Sequence, residues 1–235
     1  TSDWKFVGFD NYVKAFQDAS FMHAFWYTAL FALVSLISIN LLAFVVAYAL
    51  TRGIKGSNLF RTVFFMPNLI GGIVLGYIWS MIFDGILSRF DTSVLLNSKY
   101  GFWGLVILMC WQQVGYMMII YIAGLQSISE DMLEAARIDG ANSYQQLMRI
   151  TIPLLRPIIL VTAIMSTNGT LQLFDESVNL TRGGPGNMTI TMSHYIYNTM
   201  FTKNPNFGYA AAMSFVILVM VAVLAAIQMK VGDKR

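Results

Sequence analysis

Charge is scarce in this 235-residue sequence: Asp, Glu, Lys and Arg make up 11% of it against 57% hydrophobic residues, and the mean hydropathy is +0.61. Soluble domains carry far more charge than this, so a water-soluble globule is excluded. There is one cysteine, Cys110, inside an apolar run. It cannot form an internal disulfide, and packing is the plain reading of it. The two histidines, His23 and His194, lie too far apart in sequence to suggest a metal pair. The fifteen methionines form no Met-x-x-Met cluster with histidine, and read as adaptable packing. No Gly-Lys-Ser or Gly-Lys-Thr follows Gly183-Gly184-Pro185-Gly186, which is a turn and not a phosphate loop, so no ATP site is expected on this chain. The net charge of +3 comes from singly scattered basic residues, unlike the patch that nucleic-acid binding requires. An initiator Met and a signal pattern are also missing from the opening Thr1-Ser2-Asp3-Trp4 onward, so we expect the natural N-terminus to lie upstream.

What is abundant is long apolar runs. A bilayer core of roughly 30 Å needs about 20 helical residues. Runs of that length predict five spans, near 22–50, 62–83, 101–125, 158–176 and 207–229. The fourth is interrupted by Ser166, Thr167, Asn168, Thr170 and Gln172. Polar residues in a span face a bundle interior or a cavity, not lipid. In the second span, Pro67 with Gly71, Gly72 and Gly76 permits close helix packing or a bend. The fold class is therefore all-α, a polytopic transmembrane helix bundle.

Five spans put the two ends on opposite sides, and the bias of Lys and Arg orients them. One alternating set of segments holds Arg52, Lys55, Arg61, Arg137, Arg149, Arg156, Lys230, Lys234 and Arg235; the other holds Lys5, Lys14, Arg89, Lys99, Arg182 and Lys203. The richer set predicts a cytoplasmic C-terminus and a cytoplasmic segment at 126–157, with Thr1 outside. A first span upstream of Thr1 would return the N-terminus to the cytoplasm.

The segment from Ser127 to Gly140 begins with a Ser-x-x-Glu pattern, Ser127 with Glu130. It predicts a capping box and a short helix with acidic residues in its first turns. Gly140 supplies a residue able to take positive φ at the helix end, and Asn142 or Ser143 can cap a second helix running through Gln145 and Gln146 toward Ile152. Two short helices with a sharp bend make a compact knob. Within it stand Glu134-Ala135-Ala136, Asp139-Gly140, Ile150 and Ile152-Pro153. The two alanines keep the helix thin enough for close approach, and Glu134 can accept a charge-assisted hydrogen bond from a partner.

This spacing resembles the EAA loop of binding-protein-dependent ABC importer permeases, with Ile152 where Leu is usual. The resemblance implies a type I importer permease fold, a single permease domain over residues 1–235 that lacks its first span, and a coupling loop at 128–153. In that family the loop docks on a cytoplasmic ATPase, which places coupling on Glu134, Ala135, Ala136, Asp139 and Gly140. Further resemblance, to carbohydrate permeases similar to the larger maltose-type subunit, is carried by Phe6-Val-Gly-Phe-Asp-Asn-Tyr12, by Met66-Pro67-Asn68-Leu69 with Tyr77-Ile-Trp79, and by Leu180-Thr-Arg-Gly-Gly-Pro-Gly186 followed by Thr189, Tyr195, Tyr197 and Phe201. It implies as partners a second permease subunit, two ATPase subunits that bind ATP and Mg, an extracellular solute-binding protein, a carbohydrate substrate and membrane lipid. No catalytic residue, metal or cofactor is expected on this chain, and no nucleic acid partner. The implied place is the inner membrane of a bacterium.

Sugars present hydroxyls and apolar ring faces, for which amides and hydroxyls beside aromatics are suitable chemistry. The third span offers Gln112, Gln113 and Tyr116, and the fourth Ser166, Asn168 and Thr170. By the resemblance, sugar-contacting positions fall on Gln112, Gln113, Ser166 and Thr170. Two others fall on Met109 and Leu173, where the maltose-type subunit has amides, which argues against maltose itself. Packing between spans is the competing role for each of these residues. Trp79, Tyr100 and Trp103 are expected as membrane-interface anchors, and Asp175 and Glu176 at the surface. A secondary transporter would need charged coupling groups in mid-span, and a membrane enzyme a constellation of His, Asp or Ser at one depth. Neither pattern is present in the sequence.

Overall fold

The computed structural model describes residues 5–201 and 205–232. Thr1 to Trp4 and the basic residues Lys203, Lys234 and Arg235 of the charge comparison lie outside the described residues. Among the described residues every regular element is helical: α1 (Asp10–Gln17), α2 (Ala19–Leu50), α3 (Ser57–Phe65), α4 (Gly72–Leu87), α5 (Ser98–Gln126), α6 (Glu130–Ile138), α7 (Ser143–Gln146), α8 (Ile152–Leu154), α9 (Arg156–Leu171), α10 (Met192–Phe201) and α11 (Phe207–Gly232). Four stretches, Ala19–Leu50, Gly72–Phe90, Ser98–Gln126 and Phe207–Gly232, are long and apolar enough to cross a membrane, and a bent pair, Ser143–Leu154 with Arg156–Leu171, makes a fifth.

The membrane character shows in which residues are turned inward. Along α2 the buried positions are Phe21, Ala24, Thr28, Phe31, Ala32, Ser35, Ile39, Ala43, Ala47 and Leu50, while Trp26, Leu30, Leu33, Ile37, Leu41 and Val45 are exposed. Six of those ten buried side chains are Ala, Ser or Thr while large apolar groups stand outside, an arrangement a soluble helix avoids. It suits a solvent as apolar as leucine, where close backbone approach drives association.

Two expected spans differ from the structure. The run 62–83 is not one helix, because α3 stops at Phe65, a 3-10 turn covers Met66–Leu69, and Ile70 is extended at φ −92°, ψ 130° before α4 starts at Gly72. Pro67 lacks an amide and clashes with the preceding turn, so the α-helical ladder cannot pass through it. The run 158–176 ends five residues early, at Leu171. Upstream, the chain bends by 66° between Ser143–Leu154 and Arg156–Leu171, where Pro157 removes the amide needed to continue the ladder.

The chain divides into two compact units. One comprises residues 1–33, 72–108 and 168–224, the other 34–71, 109–167 and 225–235. In the first, Phe21, Ala24, Met192, Ile196, Tyr209, Ala210 and Met213 form the apolar core. Its polar groups are tied internally, with the Met192 amide donating to Thr28 Oγ1 at 2.9 Å and Thr191 Oγ1 donating to the Leu173 carbonyl at 2.9 Å. Asp18 accepts from the hydroxyls of Tyr195 at 2.7 Å and Tyr209 at 2.9 Å. Glu176, expected at the surface, is 8% exposed. It packs on α4 where that helix has no side chain, since a Cβ on Gly72 would lie 2.5 Å from Glu176 Oε1 and one on Gly76 would lie 2.7 Å from Asn179 Cβ.

In the second unit, α3 crosses α5 with its main chain against Gly115, and α9 packs Leu155 and Ile158 onto Gly124. A chain of buried polar groups holds the helices in register. Asn40 Nδ2 donates to Ser166 Oγ at 3.2 Å, Tyr121 donates to Asn40 Oδ1 at 3.0 Å, and Thr162 Oγ1 donates to the Tyr121 hydroxyl at 2.9 Å. Gln228 Nε2 donates to Thr167 Oγ1 at 2.8 Å.

Candidate functional site

The knob between α5 and α9 is built by local chemistry. The Ser127–Glu130 capping box is not formed; instead Ser127 Oγ donates to the Gly124 carbonyl at 2.7 Å, closing the last turn of α5, and Ser129 is the N-cap of α6 without a side-chain bond. The helix α5 runs to Gln126, one residue past its expected end, and the serine that follows bonds back onto its last turn. Glu130 and Asp131 in the first turn and Arg137 in the last match the helix dipole.

The exit from α6 is over-determined. Gly140 stands at φ +85°, and the Gly140 amide bonds to the Arg137 carbonyl at 3.0 Å and the Ala141 amide to the Ala136 carbonyl at 2.9 Å. Those two bonds are the 5→2 and 6→1 pair of a Schellman ending, which needs a left-handed residue where Gly140 stands. Two residues later Asn142 Oδ1 accepts from the Gln145 amide and Gln145 Oε1 accepts from the Asn142 amide, both at 2.9 Å. This reciprocal box starts α7, as expected of Asn142. Buried Gln146 adds a bond from Nε2 to the Ala141 carbonyl at 3.1 Å. The bend is therefore closed by hydrogen bonds on both sides of Gly140.

All five residues of the expected coupling set lie at or near the surface: Glu134, Ala135, Asp139 and Gly140 are exposed and Ala136 is half-buried. They occupy two sides of α6. Glu134 lines a cleft of about 690 Å³, together with Glu130, Arg137, Tyr48, Arg52 and Gln146. The guanidinium of Arg52 stacks 4.4 Å from the Tyr48 ring centroid and donates to its hydroxyl. Ala135 and Asp139 are exposed and do not line that cleft, and neighbouring Ile138 is 81% exposed. Ile138 was not singled out from the sequence. Its signal was a large apolar residue on a short helix that already had Leu133 to face inward.

The six expected pathway residues are divided. Gln112, Gln113, Tyr116 and Ser166 belong to one unit, Asn168 and Thr170 to the other. Gln112, Gln113 and Tyr116 are half-buried and Asn168 is exposed, whereas Ser166 and Thr170 are fully buried. Gln113 Nε2 donates to the Met109 sulfur at 3.7 Å, and its Oε1 is buried without a partner. The Tyr116 ring sits 6.5 Å from that of Phe65. Asn168 Oδ1 accepts from Gln172 Nε2 at 2.7 Å. Met109 and Leu173, which depart from the maltose-type pattern, are buried. Elsewhere His23 Nε2 is 3.1 Å from the Met188 carbonyl and His194 Nδ1 is 3.2 Å from Ser177 Oγ. Burial lowers the His194 pKa below its ordinary value of 6.5, so it is neutral at pH 7.

The geometry so far is that of a helical membrane subunit with a surface-displayed double-helix knob between two of its spans. Residues 39–233 match the family described as the binding-protein-dependent transport system inner membrane component. The lactose transport system permease protein LacF of Rhizobium radiobacter is 38% identical over 98% of this chain and 82% of its own length. The probable starch degradation products transport system permease protein AmyD of Thermoanaerobacterium thermosulfurigenes is 36% identical over 100% of this chain and 85% of its own. In fold, the chain superposes with a TM-score of 0.86 and 20% identity on a chain of a bacterial ABC transporter involved in alginate import, covering 100% of this chain and 85% of that one. A chain of the MetNI methionine ABC transporter gives 0.62 at 17% identity, covering 91% and 93%. The chain thus belongs to the family of inner membrane components of binding-protein-dependent transport systems, as a multi-pass permease subunit and not an enzyme.

Proposed function

We propose that this permease passes a sugar or oligosaccharide, delivered by an extracellular binding protein, through a complex with a second permease subunit and two ATPase subunits. The carbohydrate class is supported by the relatives named for lactose and for starch degradation products. Its C-terminus and the knob face the cytoplasm, in keeping with the basic residues Arg52, Lys55, Arg61, Arg137, Arg149, Arg156 and Lys230 on that side.

The observation that carries the reading is the hydrogen-bonded exit of α6 at Gly140. A coupling element must transmit displacement without bending, and the doubled capping around Gly140 and Asn142 does that. Ala135 and Asp139, with the exposed Ile138, form the face that docks on the ATPase; Glu134 acts from the cleft beside Arg52 and Arg137. ATP and Mg are bound by the ATPase subunits. In the membrane, Gln112, Gln113 and Tyr116 carry the amides and the ring face that meet the sugar, and Asn168 offers a further amide from its own unit. Ser166 and Thr170, buried here, position the helices that hold them.

The test is copurification of the ATPase with the tagged chain from its native membrane. Wild type retains the ATPase; Glu134→Lys and Gly140→Asp insert normally, and at least one of them loses the ATPase or uncouples transport from hydrolysis. Inserted wild type that retains no ATPase in mild detergent, with both variants transporting as wild type does, refutes the reading.

A further inference from the structure

The helix α1 has three distinct sides, and only two are accounted for. One side packs on the protein: Ala15 is fully buried, the Tyr12 ring meets the edge of Phe215 at 6.3 Å, Asn11 abuts Gly208, and Lys14 Nζ stands 4.8 Å from the Tyr209 ring centroid. The second side, with Asp10 and Gln17, is exposed and polar. The third carries Phe9, Val13 and Phe16, at spacings of four and three residues, which puts them on one narrow stripe. Their side chains are 80%, 54% and 56% exposed. Phe6, just before the helix, is bare as well.

Three features identify what covers this stripe. The helix α1 joins the span α2 through the single residue Asp18, so it cannot leave the membrane boundary. The Asp18 carboxylate is held by Tyr195, Tyr209 and the Ser20 amide, and together with the Ala15 contact this stops α1 from rolling. The stripe is also flanked by an exposed apolar residue of a span, because Tyr12, at the edge of the packed side, meets Phe215 of α11, which is 53% exposed. A polar side, an apolar stripe and a fixed tether at the end of a span are the requirements of a helix lying in the interfacial plane.

We infer that α1 is an interfacial anchor whose Phe9–Val13–Phe16 stripe is embedded in lipid at the headgroup–acyl boundary, roughly 5–10 Å deep, with Asp10 and Gln17 toward water. That the leaflet is the outer one rests on the orientation proposed above; the lipid contact does not. The anchor sets the depth at which α2 begins.

The test uses the full chain in its assembled transporter, with Cys110→Ser as background, reconstituted into vesicles of phosphatidylethanolamine with phosphatidylglycerol. Single cysteines at Phe9, Val13, Phe16, Asp10 and Gln17 receive a nitroxide spin label. At the three stripe positions collisions with dissolved oxygen exceed those with a water-soluble nickel chelate several-fold, and at Asp10 and Gln17 the order reverses. If the phenylalanine variants insert poorly, Val13→Cys and Gln17→Cys carry the comparison. Equal nickel access at all positions means the stripe faces water, as a docking face for a soluble partner would; shielding of the stripe from both reagents means that protein covers it. Either result overturns the inference. Sidedness is read separately with an impermeant maleimide on Gln17→Cys in intact cells, so that labelling from the inside alone refutes the orientation while the lipid contact stands.

Discussion

Replacing Gly115 by alanine tests the helix crossing on which the second unit depends. A Cβ at Gly115 would lie 1.8 Å from the Phe64 carbonyl oxygen, 2.3 Å from its carbon and 2.7 Å from the Phe65 nitrogen. All three are main-chain atoms, so no rotamer change relieves the contact. A carbon and a carbonyl oxygen relax at about 3.3 Å, which requires α3 to retreat from α5 by about 1.5 Å. Overpacking of this kind costs about 1–3 kcal/mol where side chains can adjust, and backbone against backbone should reach the upper end. The retreat also separates Phe65 from the Tyr116 ring, so on the role proposed for Tyr116 apparent sugar affinity should change with stability. The control is Gly85→Ala in α4, where nothing lies within 4 Å of the added Cβ and helix propensity alone predicts a gain of up to ~1 kcal/mol. The assay is the midpoint of thermal inactivation of the purified transporter in detergent. Gly115→Ala should fall well below wild type and Gly85→Ala should equal or exceed it. If both variants melt with wild type, the close crossing of α3 and α5 is not there.

Tyr121→Phe removes the hydroxyl that links Asn40 to Thr162. Membrane hydrogen bonds are worth about 0.6 kcal/mol on average, so the inactivation midpoint should drop slightly, and by less than for Gly115→Ala. Asp18 gives a pH test. Burial works against its ionisation, but hydrogen bonds from Tyr195, Tyr209 and the amides of Ser20 and Phe21 outweigh it together and hold the carboxyl below its ordinary value of 3.8. A carboxyl depressed in the folded state contributes stability that is complete above the unfolded value and is lost as pH falls through the lower folded one. Wild type should therefore lose stability below about pH 4 more steeply than Asp18→Asn, followed by inactivation at graded pH. Gly140→Ala, which must adopt φ +85°, should cost roughly 1–2 kcal/mol locally and lower ATPase coupling before it lowers insertion.

The sequence alone determined what depends on neighbours along the chain. Spans α2, α5 and α11 were legible because twenty apolar residues in a row have one stable solution in a bilayer. The turn at Gly140 and the cap at Asn142 were legible because both are closed by residues within five positions. What sequence could not decide is everything settled by a partner far along the chain. Ser127 reads as a helix cap, yet α5 extended far enough to use it first. Glu176 reads as a surface carboxylate, and only the bare glycine face of α4 made a place to bury it. Ser166 and Asn168 look alike as hydroxyl and amide in a span, but Ser166 faces Asn40 and Asn168 faces outward. Whether a polar group in a membrane is free to meet a sugar depends on which helix lies opposite it, and that is a property of the packed chain.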